Sequence, residues 1–236
     1  GLRDRVDGLV LRTVADGVTI EGSPTFDRIK GAGVVKVGVK EDQPGLGFLD
    51  PTTGKFTHYR HDPNDPQSLI GNTAYNLYED KSGALWVGTR DGINKMDQAT
   101  GTFTRYIHDP KDSGSLPFND TRGTCEDSEG TLWVATSYGG VARFDPATGK
   151  FAAYRHDPNN SNSLGKGIIT TLKCDPAGGL WLGLWGGGLN RFDPKTETFR
   201  RYENDPRDPA SLSNNEVWFI HFGSSGDMWI GTSGGL

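Results

Sequence analysis

The sequence predicts an all-β fold assembled from repeated four-stranded units, and three observations support this prediction. Tryptophan recurs at intervals of 47, 48 and 48 residues, always in a short apolar run after a turn: Trp86, Trp133, Trp181 and Trp229. A glycine followed by an aliphatic residue recurs with nearly the same period: Gly45-Leu46, Gly92-Ile93, Gly140-Val141, Gly188-Leu189 and Gly235-Leu236. No segment carries the sustained spacing of apolar residues that an amphipathic helix requires. The chain is therefore a repeat protein made of strands.

One repeat, residues 92–139, shows the strand order that we expect. Its strands are predicted at 92–97, 102–106, 121–126 and 132–136, with tight turns at 99–101 and 127–130 and a longer polar loop at 108–116. Aspartates that open the tight turns are expected to bond the turn backbone rather than calcium: Asp80, Asp127 and Asp175. Four-stranded units of this length are typical of propeller blades. The predicted fold class is an all-β, β-propeller fold of about five four-stranded blades.

The whole chain, 1–236, is expected to form a single β-propeller domain. Residues 45–236 hold four clear repeats of 47–48 residues, whereas residues 1–44 hold a degenerate first repeat in which Lys36 replaces the tryptophan. The chain starts at the third strand of one blade and stops after the second strand of another. In one alternative, N-terminal strands near residues 2–14 complete the C-terminal blade begun by residues 215–232 and close a ring. In the other, the chain is an open piece of a larger ring.

Composition argues against two classes of partner. The formal net charge is −5, and the 25 basic residues are interleaved with 30 acidic ones. The sequence therefore predicts no broad basic face for nucleic acid. No apolar run is long enough for a membrane-spanning segment.

The two cysteines, Cys125 and Cys174, are predicted to be free and buried. Aligning the repeats puts Cys125 two residues before its turn aspartate and Cys174 one residue before. On adjacent strands these two phases point to opposite faces, which favours separate thiols over a disulfide.

Three histidines occupy equivalent loop positions, in His61-Asp62-Pro63, His108-Asp109-Pro110 and His156-Asp157-Pro158, with Asn204-Asp205-Pro206 in the last copy. A metal or general-base site is one interpretation. Equivalent positions in a ring lie a blade-width apart, however, which is too far for ligands that bind one ion at about 2 Å. The favoured interpretation is structural, with the aspartate capping the loop and the proline fixing its φ angle. No catalytic residue, metal or cofactor is predicted.

Residues that vary between the repeats are better candidates for binding than residues that recur. In a propeller, the loop after the second strand and the start of the first strand emerge on one face near the axis. The candidate ligand-binding residues there are Trp185, Tyr138, Arg90, Arg122, Trp218, Tyr75, Asn72, Asn119 and Asn215. Aromatic faces and polar groups in this combination suit a sugar. The alternative for Tyr75 and Trp218 is packing between blades, and the recurring tryptophans are expected in the core.

Several motifs together resemble the two-component regulator propeller repeat family. They are Leu85-Trp86-Val87-Gly88-Thr89, Gly188-Leu189-Asn190-Arg191-Phe192-Asp193-Pro194, and Phe151…Tyr154-Arg155-His156-Asp157-Pro158…Ser163-Leu164. The resemblance covers roughly residues 45–236. It implies a propeller in the extracytoplasmic sensor region of a bacterial hybrid histidine kinase, a class in which several members respond to glycans. Such rings usually have more than five blades. Residues 25–48 also look like the opening of an amino-acid-type periplasmic solute-binding protein, from which we infer no amino-acid binding.

The resemblance and the variable residues together give the functional hypotheses. The first is a non-catalytic, periplasmic or extracellular sensor or lectin-like propeller that binds a carbohydrate or small polar ligand at its axial face. The alternative is a protein–protein interaction scaffold that uses the same face. A propeller lyase or hydrolase ranks last, because no histidine–carboxylate pair stands out at non-repeating positions.

Overall fold

The computed structural model of the chain describes residues 5–6, 9–14, 17–20, 35–38, 46–50, 52–175 and 177–236. All regular elements in these residues are β-strands, as the sequence predicts. No helix that could span a membrane occurs in this part of the chain. The chain divides into two compact units, a first unit of Gly1–Arg60 and a second unit of His61–Leu236.

In its described residues, the first unit contains two three-stranded antiparallel sheets. One consists of β1 (Arg5–Val6), β2 (Leu9–Val14) and β3 (Gly17–Ile20), and the other of β4 (Val35–Gly38), β5 (Leu46–Leu49) and β6 (Phe56–Tyr59). Strand β4 carries Lys36 at the position where the repeat pattern expects tryptophan, and it pairs with β5 as a second strand pairs with a third. The first strand expected for this degenerate repeat, around Phe26, lies outside the described residues.

The second unit contains four antiparallel sheets, which we number blades 1 to 4. Blade 1 is β7 (Ala74–Glu79), β8 (Leu85–Thr89), β9 (Gly92–Met96) and β10 (Phe103–Tyr106). Blade 2 is β11 (Thr121–Glu126), β12 (Leu132–Thr136), β13 (Gly140–Asp145) and β14 (Lys150–Tyr154). Blade 3 is β15 (Ile168–Cys174), β16 (Leu180–Trp185), β17 (Leu189–Asp193) and β18 (Thr198–Tyr202). Blade 4 is the hairpin of β19 (Val217–Phe222) and β20 (Met228–Thr232).

Among the described strands, the expected pairing of N-terminal strands with the last blade is not seen. Strands β1, β2 and β3 make a sheet of their own, and blade 4 has two strands in the described residues. The N-terminal strands follow one another closely in sequence, so pairing among themselves closes much shorter loops than pairing with β19 and β20 would.

The core of the second unit lies between blades, where the recurring tryptophans pack. Trp86 and Trp133 are 1% and 2% exposed, which confirms their predicted place in the core. Trp86 of blade 1 contacts Phe144 of blade 2, and Trp133 of blade 2 contacts Phe192 of blade 3, each in an edge-on arrangement. Each tryptophan therefore joins its own blade to the next one along the chain.

The same prediction is wrong for the last tryptophan. Trp229 of β20 is 56% exposed, because within His61–Leu236 no further sheet follows blade 4. Trp181 of blade 3 is intermediate: it is partly buried and stacks on Tyr202. The position in the repeat determines where the tryptophan side chain points, but the ring is buried only where a neighbouring blade covers it.

The prediction of two free thiols is also wrong, since Cys125 and Cys174 form a disulfide with 5.8 Å between their Cα atoms. Cys125 is in β11 of blade 2 and Cys174 in β15 of blade 3. These strands belong to two sheets that stack face to face, rather than to one sheet. Opposite side-chain phases therefore point the two sulfurs towards each other, and the bond links neighbouring blades.

Candidate functional site

The first strands of the blades lie innermost, because β7, β11, β15 and β19 pack successively against one another. Each of them has a register shift at its start, between Ala74/Asn76, Thr121/Gly123, Ile169/Thr171 and Val217/Phe219. The extra residues in these four β-bulges are Tyr75, Arg122, Thr170 and Trp218. A bulge turns its extra side chain away from the regular alternation of the strand, and bulges are frequent beside binding sites.

Each bulged residue has a counterpart fifteen positions later, at or just beyond the end of the second strand. Arg122 Nε donates to Ser137 Oγ over 2.9 Å, and Trp218 Nε1 donates to Ser233 Oγ over 2.9 Å. Backbone hydrogen bonds fix the same junction, with the Ser137 amide donating to the Asp120 carbonyl and the Ser233 amide to that of Glu216. We call the surface made by the bulged residues and their counterparts the bulge face; the counterparts are Arg90, Ser137, Trp185 and Ser233.

Blades 1 and 2 contribute one cluster of the bulge face. The guanidinium of Arg122 lies over the ring of Tyr75, 4.2 Å from its centroid, and Arg122 Nη2 is 2.8 Å from Asp120 Oδ2. The ion pair and the cation–π contact hold the arginine between a carboxylate and an aromatic ring. Tyr138 beside them is 64% exposed and packs edge-on against Phe118.

Blades 3 and 4 contribute a second cluster, which is mainly aromatic. The rings of Trp185 and Trp218 have centroids 6.2 Å apart and planes inclined by 31°, and the two residues are 48% and 41% exposed. Ser233 Oγ donates to Glu216 Oε2 over 2.7 Å while accepting the bond from Trp218. Hydrogen bonds from Ser233 and from the Trp185 side chain lower the pKa of Glu216 below its ordinary value. Both indoles thus lie near one ionised carboxylate.

The structure distinguishes among the nine residues that the sequence singled out. Tyr75, Arg122 and Trp218 are bulged residues. Arg90 is the counterpart of Tyr75, Trp185 is the counterpart of Thr170, and Tyr138 follows the counterpart Ser137. The exposure of Tyr75 and Trp218, 41% each, shows that packing between blades does not bury them. Sequence reasoning missed Thr170, whose hydroxyl donates to the carbonyls of Gly183 and Val217 and so ties blade 3 to blade 4. The signal that would have found it is its position 48 residues after Arg122 and before Trp218.

The three candidate asparagines hold the loops that lead into the first strands. Their Oδ1 atoms accept backbone amides: Asn72 from His61 at 2.8 Å, Asn119 from His108 at 2.7 Å and Asn215 from Asn204 at 2.7 Å. Each side-chain oxygen is therefore engaged with its own loop. A direct contact of these amides with a ligand stays a prediction.

The histidine loops have the structural role that the sequence analysis favoured. The Nδ1 atoms of the three histidines lie 2.8 Å from backbone carbonyls: His61 from Leu69, His108 from Leu116 and His156 from Leu164. Asn204 makes the same contact to Leu212 through Nδ2, at 2.7 Å. The following aspartates accept an amide two residues on, as Asp62 does from Asn64. In the described residues no three His, Cys, Asp or Glu side chains are grouped to hold a metal ion.

Repeated antiparallel blades with innermost first strands define this chain as a β-propeller repeat protein. The family described as "Two component regulator propeller" matches it at residues 68–91, 115–138 and 211–234. Each matched segment contains a bulged residue and its counterpart. These three segments therefore have the pattern of the two-component regulator propeller repeat.

Solved structures support this family at the level of the fold. One, described as the extracellular domain of a hybrid two component system, BT3049 of B. thetaiotaomicron, is 26% identical, with a TM-score of 0.69 over 86% of this chain. Another, described as the extracellular domain of BT4673 from the same organism, is 21% identical, with a TM-score of 0.71 over 99% of this chain. The chain spans 26% and 31% of those two proteins. No curated protein matches the sequence.

Proposed function

We propose that this chain is a non-catalytic, extracytoplasmic sensing domain that binds a carbohydrate or small polar ligand at the bulge face. One observation carries the proposal: the residues that vary between blades occupy the β-bulges and their counterparts, on a face that includes two exposed tryptophans. Indole faces stack on the apolar faces of sugar rings, and arginine and hydroxyl groups beside them bond sugar hydroxyls. Recurring residues, by contrast, pack the core or hold the turns.

Two further observations support the location and the sensing role. The relatives of known structure are described as extracellular domains of two component systems. The disulfide between Cys125 and Cys174 is the kind of bond that persists in oxidising compartments. A sensing domain needs a ligand surface that spans more than one blade, so that binding acts on how blades pack. The contacts of Arg122 with Tyr75 and of Trp185 with Trp218 both cross from one blade to the next.

The test is a glycan array followed by calorimetry on wild type, Trp185→Ala and the matched control Trp229→Ala. Trp229 is also exposed but lies outside the bulge face. We expect at least one saccharide to bind wild type and the control alike, and Trp185→Ala to lose about tenfold or more in affinity, which is about 1.4 kcal/mol. If no saccharide binds wild type, the carbohydrate class is wrong, and if Trp185→Ala binds as wild type does, the proposed site is wrong.

A further inference from the structure

The two clusters of the bulge face are built on the same plan. In the first, a carboxylate two residues before the bulge, Asp120, pairs with Arg122, and the guanidinium lies on the ring of Tyr75. The cation in this cluster is therefore supplied by the protein, between a carboxylate and an aromatic ring. The contact needs no outside group to balance its charge.

The second cluster has the carboxylate and the aromatic rings but not the cation. Glu216 stands two residues before its bulge, as Asp120 does, and the bulged residue is Trp218 instead of arginine. Among the described residues no lysine or arginine forms an ion pair with Glu216. The hydroxyl of Ser233 donates to this carboxylate and the Trp185 side chain lies near it; both groups are neutral and do not cancel its charge.

A fixed negative charge beside two exposed indole faces is an environment that favours an organic cation. Indole is the aromatic group that attracts cations most strongly, and a neighbouring carboxylate adds to the attraction. Trp218 is held in place by its bond to Ser233, and the ring of Trp185 packs against that of Trp218, so little side-chain ordering is needed on binding.

We propose that Trp185, Trp218 and Glu216 bind an ammonium group of the ligand, and that the saccharides sensed by the bulge face are cationic amino sugars. The inference rests on the proposed function, since it names the class of saccharide for the same face. The sugar ring covers one indole, and its protonated amine lies between the indoles and the Glu216 carboxylate.

The experiment compares three probes by calorimetry at one pH and low salt. They are a glucosamine oligosaccharide, the same oligosaccharide with every amine acetylated, and choline, which offers an ammonium group without a sugar. We expect the glucosamine form to bind wild type about tenfold more tightly than the acetylated form, as a partly desolvated cation–π contact predicts. Choline is expected to bind more weakly than the glucosamine form and to compete with it.

Two substitutions assign the effect to the carboxylate. Glu216→Gln keeps an acceptor for Ser233 but removes the charge, so we expect it to abolish the preference for the amine over the acetylated form. Asp227→Asn removes the same charge from the turn at the other end of blade 4 and should preserve the preference. Circular dichroism checks that both variants fold.

The possible failures separate the two proposals. Equal affinity for the amine and acetylated forms, or an unchanged preference in Glu216→Gln, overturns the inference, while binding that depends on Trp185 still supports the proposed function. Binding of choline without binding of either saccharide overturns the inference that the ligand is an amino sugar, while a small polar ligand at the bulge face still agrees with the proposed function.

Discussion

The buried carboxylate of Asp127 accepts a hydrogen bond from the indole nitrogen of Trp133, with 2.8 Å between Oδ2 and Nε1. Its other oxygen, Oδ1, accepts the backbone amides of Glu129 and Thr131, which close the turn between β11 and β12. Blade 1 repeats the bond between Asp80 and Trp86 at 2.8 Å, and blade 3 repeats it between Asp175 and Trp181 at 3.2 Å. One carboxylate thus fixes both a tight turn and a core ring.

Replacing Asp127 by alanine is expected to lower the free energy of unfolding by about 2–3 kcal/mol, because the buried indole N–H of Trp133 and two turn amides lose their acceptor. The control is Asp227→Ala, since Asp227 closes the equivalent turn of blade 4, where Gly223 stands at the position of Asp127 and the tryptophan is exposed. That change should cost less than about 0.5 kcal/mol. Urea denaturation followed by tryptophan fluorescence measures both, and equal losses in the two variants would contradict this role.

The strands of the second unit could be predicted from the sequence, and the Asp–Trp bond explains why. Each turn aspartate, its glycine and the tryptophan stand at fixed spacing, so a hairpin is specified locally. The strands predicted at 121–126 and 132–136 match Thr121–Glu126 and Leu132–Thr136. The exposure of Trp229 could not be predicted in the same way, since burial at this position depends on a neighbouring sheet rather than on local sequence.

Removing the disulfide is expected to destabilise the contact between blades 2 and 3. The bond closes a loop of 49 residues, for which the chain-entropy account predicts a contribution of about 4 kcal/mol. The double variant Cys125→Ala/Cys174→Ala should therefore unfold at a lower temperature than wild type. Adding a thiol reductant should lower the melting temperature of wild type and leave the variant unchanged. A reductant effect of equal size on both proteins would show that the bond does not stabilise the fold.

The disulfide and the bulges show what a single sequence could not reveal about the site. The predicted side-chain directions of Cys125 and Cys174 were correct. Because their strands belong to two sheets that face each other, opposite directions bring the two sulfurs together instead of separating them. The bulged positions of Tyr75, Arg122 and Trp218 require the register of the partner strand, whereas their variation between repeats was visible. Thr170 was missed because a small polar residue does not interrupt the repeat pattern in a noticeable way.

Tyr154 is expected to make the protein sensitive to alkaline pH. Its hydroxyl donates to Glu197 Oε1 over 2.5 Å, between β14 and the turn that joins β17 to β18. Partial burial, together with the hydrogen bond to Glu197 and the negative charge there, raises the pKa of Tyr154 to about 12 from 10.0. A pKa that is raised in the folded state contributes stability that is complete below the unfolded value and is lost as the pH rises through the folded value. The affected window is therefore pH 10 to 12.

The substitution that tests this is Tyr154→Phe, which keeps the ring packed against Trp133 and Phe192 and removes the hydroxyl. The difference in urea midpoint between wild type and variant should be present at about pH 9 and shrink at about pH 11–12. Titration of phenolate absorbance should show one fewer late-titrating tyrosine in the variant. A difference in midpoint that grows with pH would contradict the assignment.

Glycine in the second strands is expected to be required where two blades approach closely and dispensable where they do not. A Cβ on Gly183 would lie 2.7 Å from Val217 Cγ1 and 2.8 Å from Thr171 Cγ2, whereas at Gly231, the equivalent position in blade 4, the nearest atoms are 3.5 Å away on Phe219. Gly183→Ala should therefore cost about 1–3 kcal/mol through overpacking. Gly231→Ala should be neutral or stabilise by up to about 1 kcal/mol, because alanine restricts the unfolded chain.

The effect of Gly183→Ala should also reach the bulge face, because Val217 directly precedes the bulged Trp218. Moving Val217 away from the new methyl group displaces the start of β19, and the Val217 carbonyl that accepts the Thr170 hydroxyl moves with it. The ring of Trp218 then loses its alignment with Trp185. We therefore expect Gly183→Ala, but not Gly231→Ala, to weaken binding of the saccharides that depend on Trp185, as calorimetry on folded protein would measure. Unchanged affinity in Gly183→Ala would mean that the packing of blade 3 on blade 4 does not position the tryptophan pair.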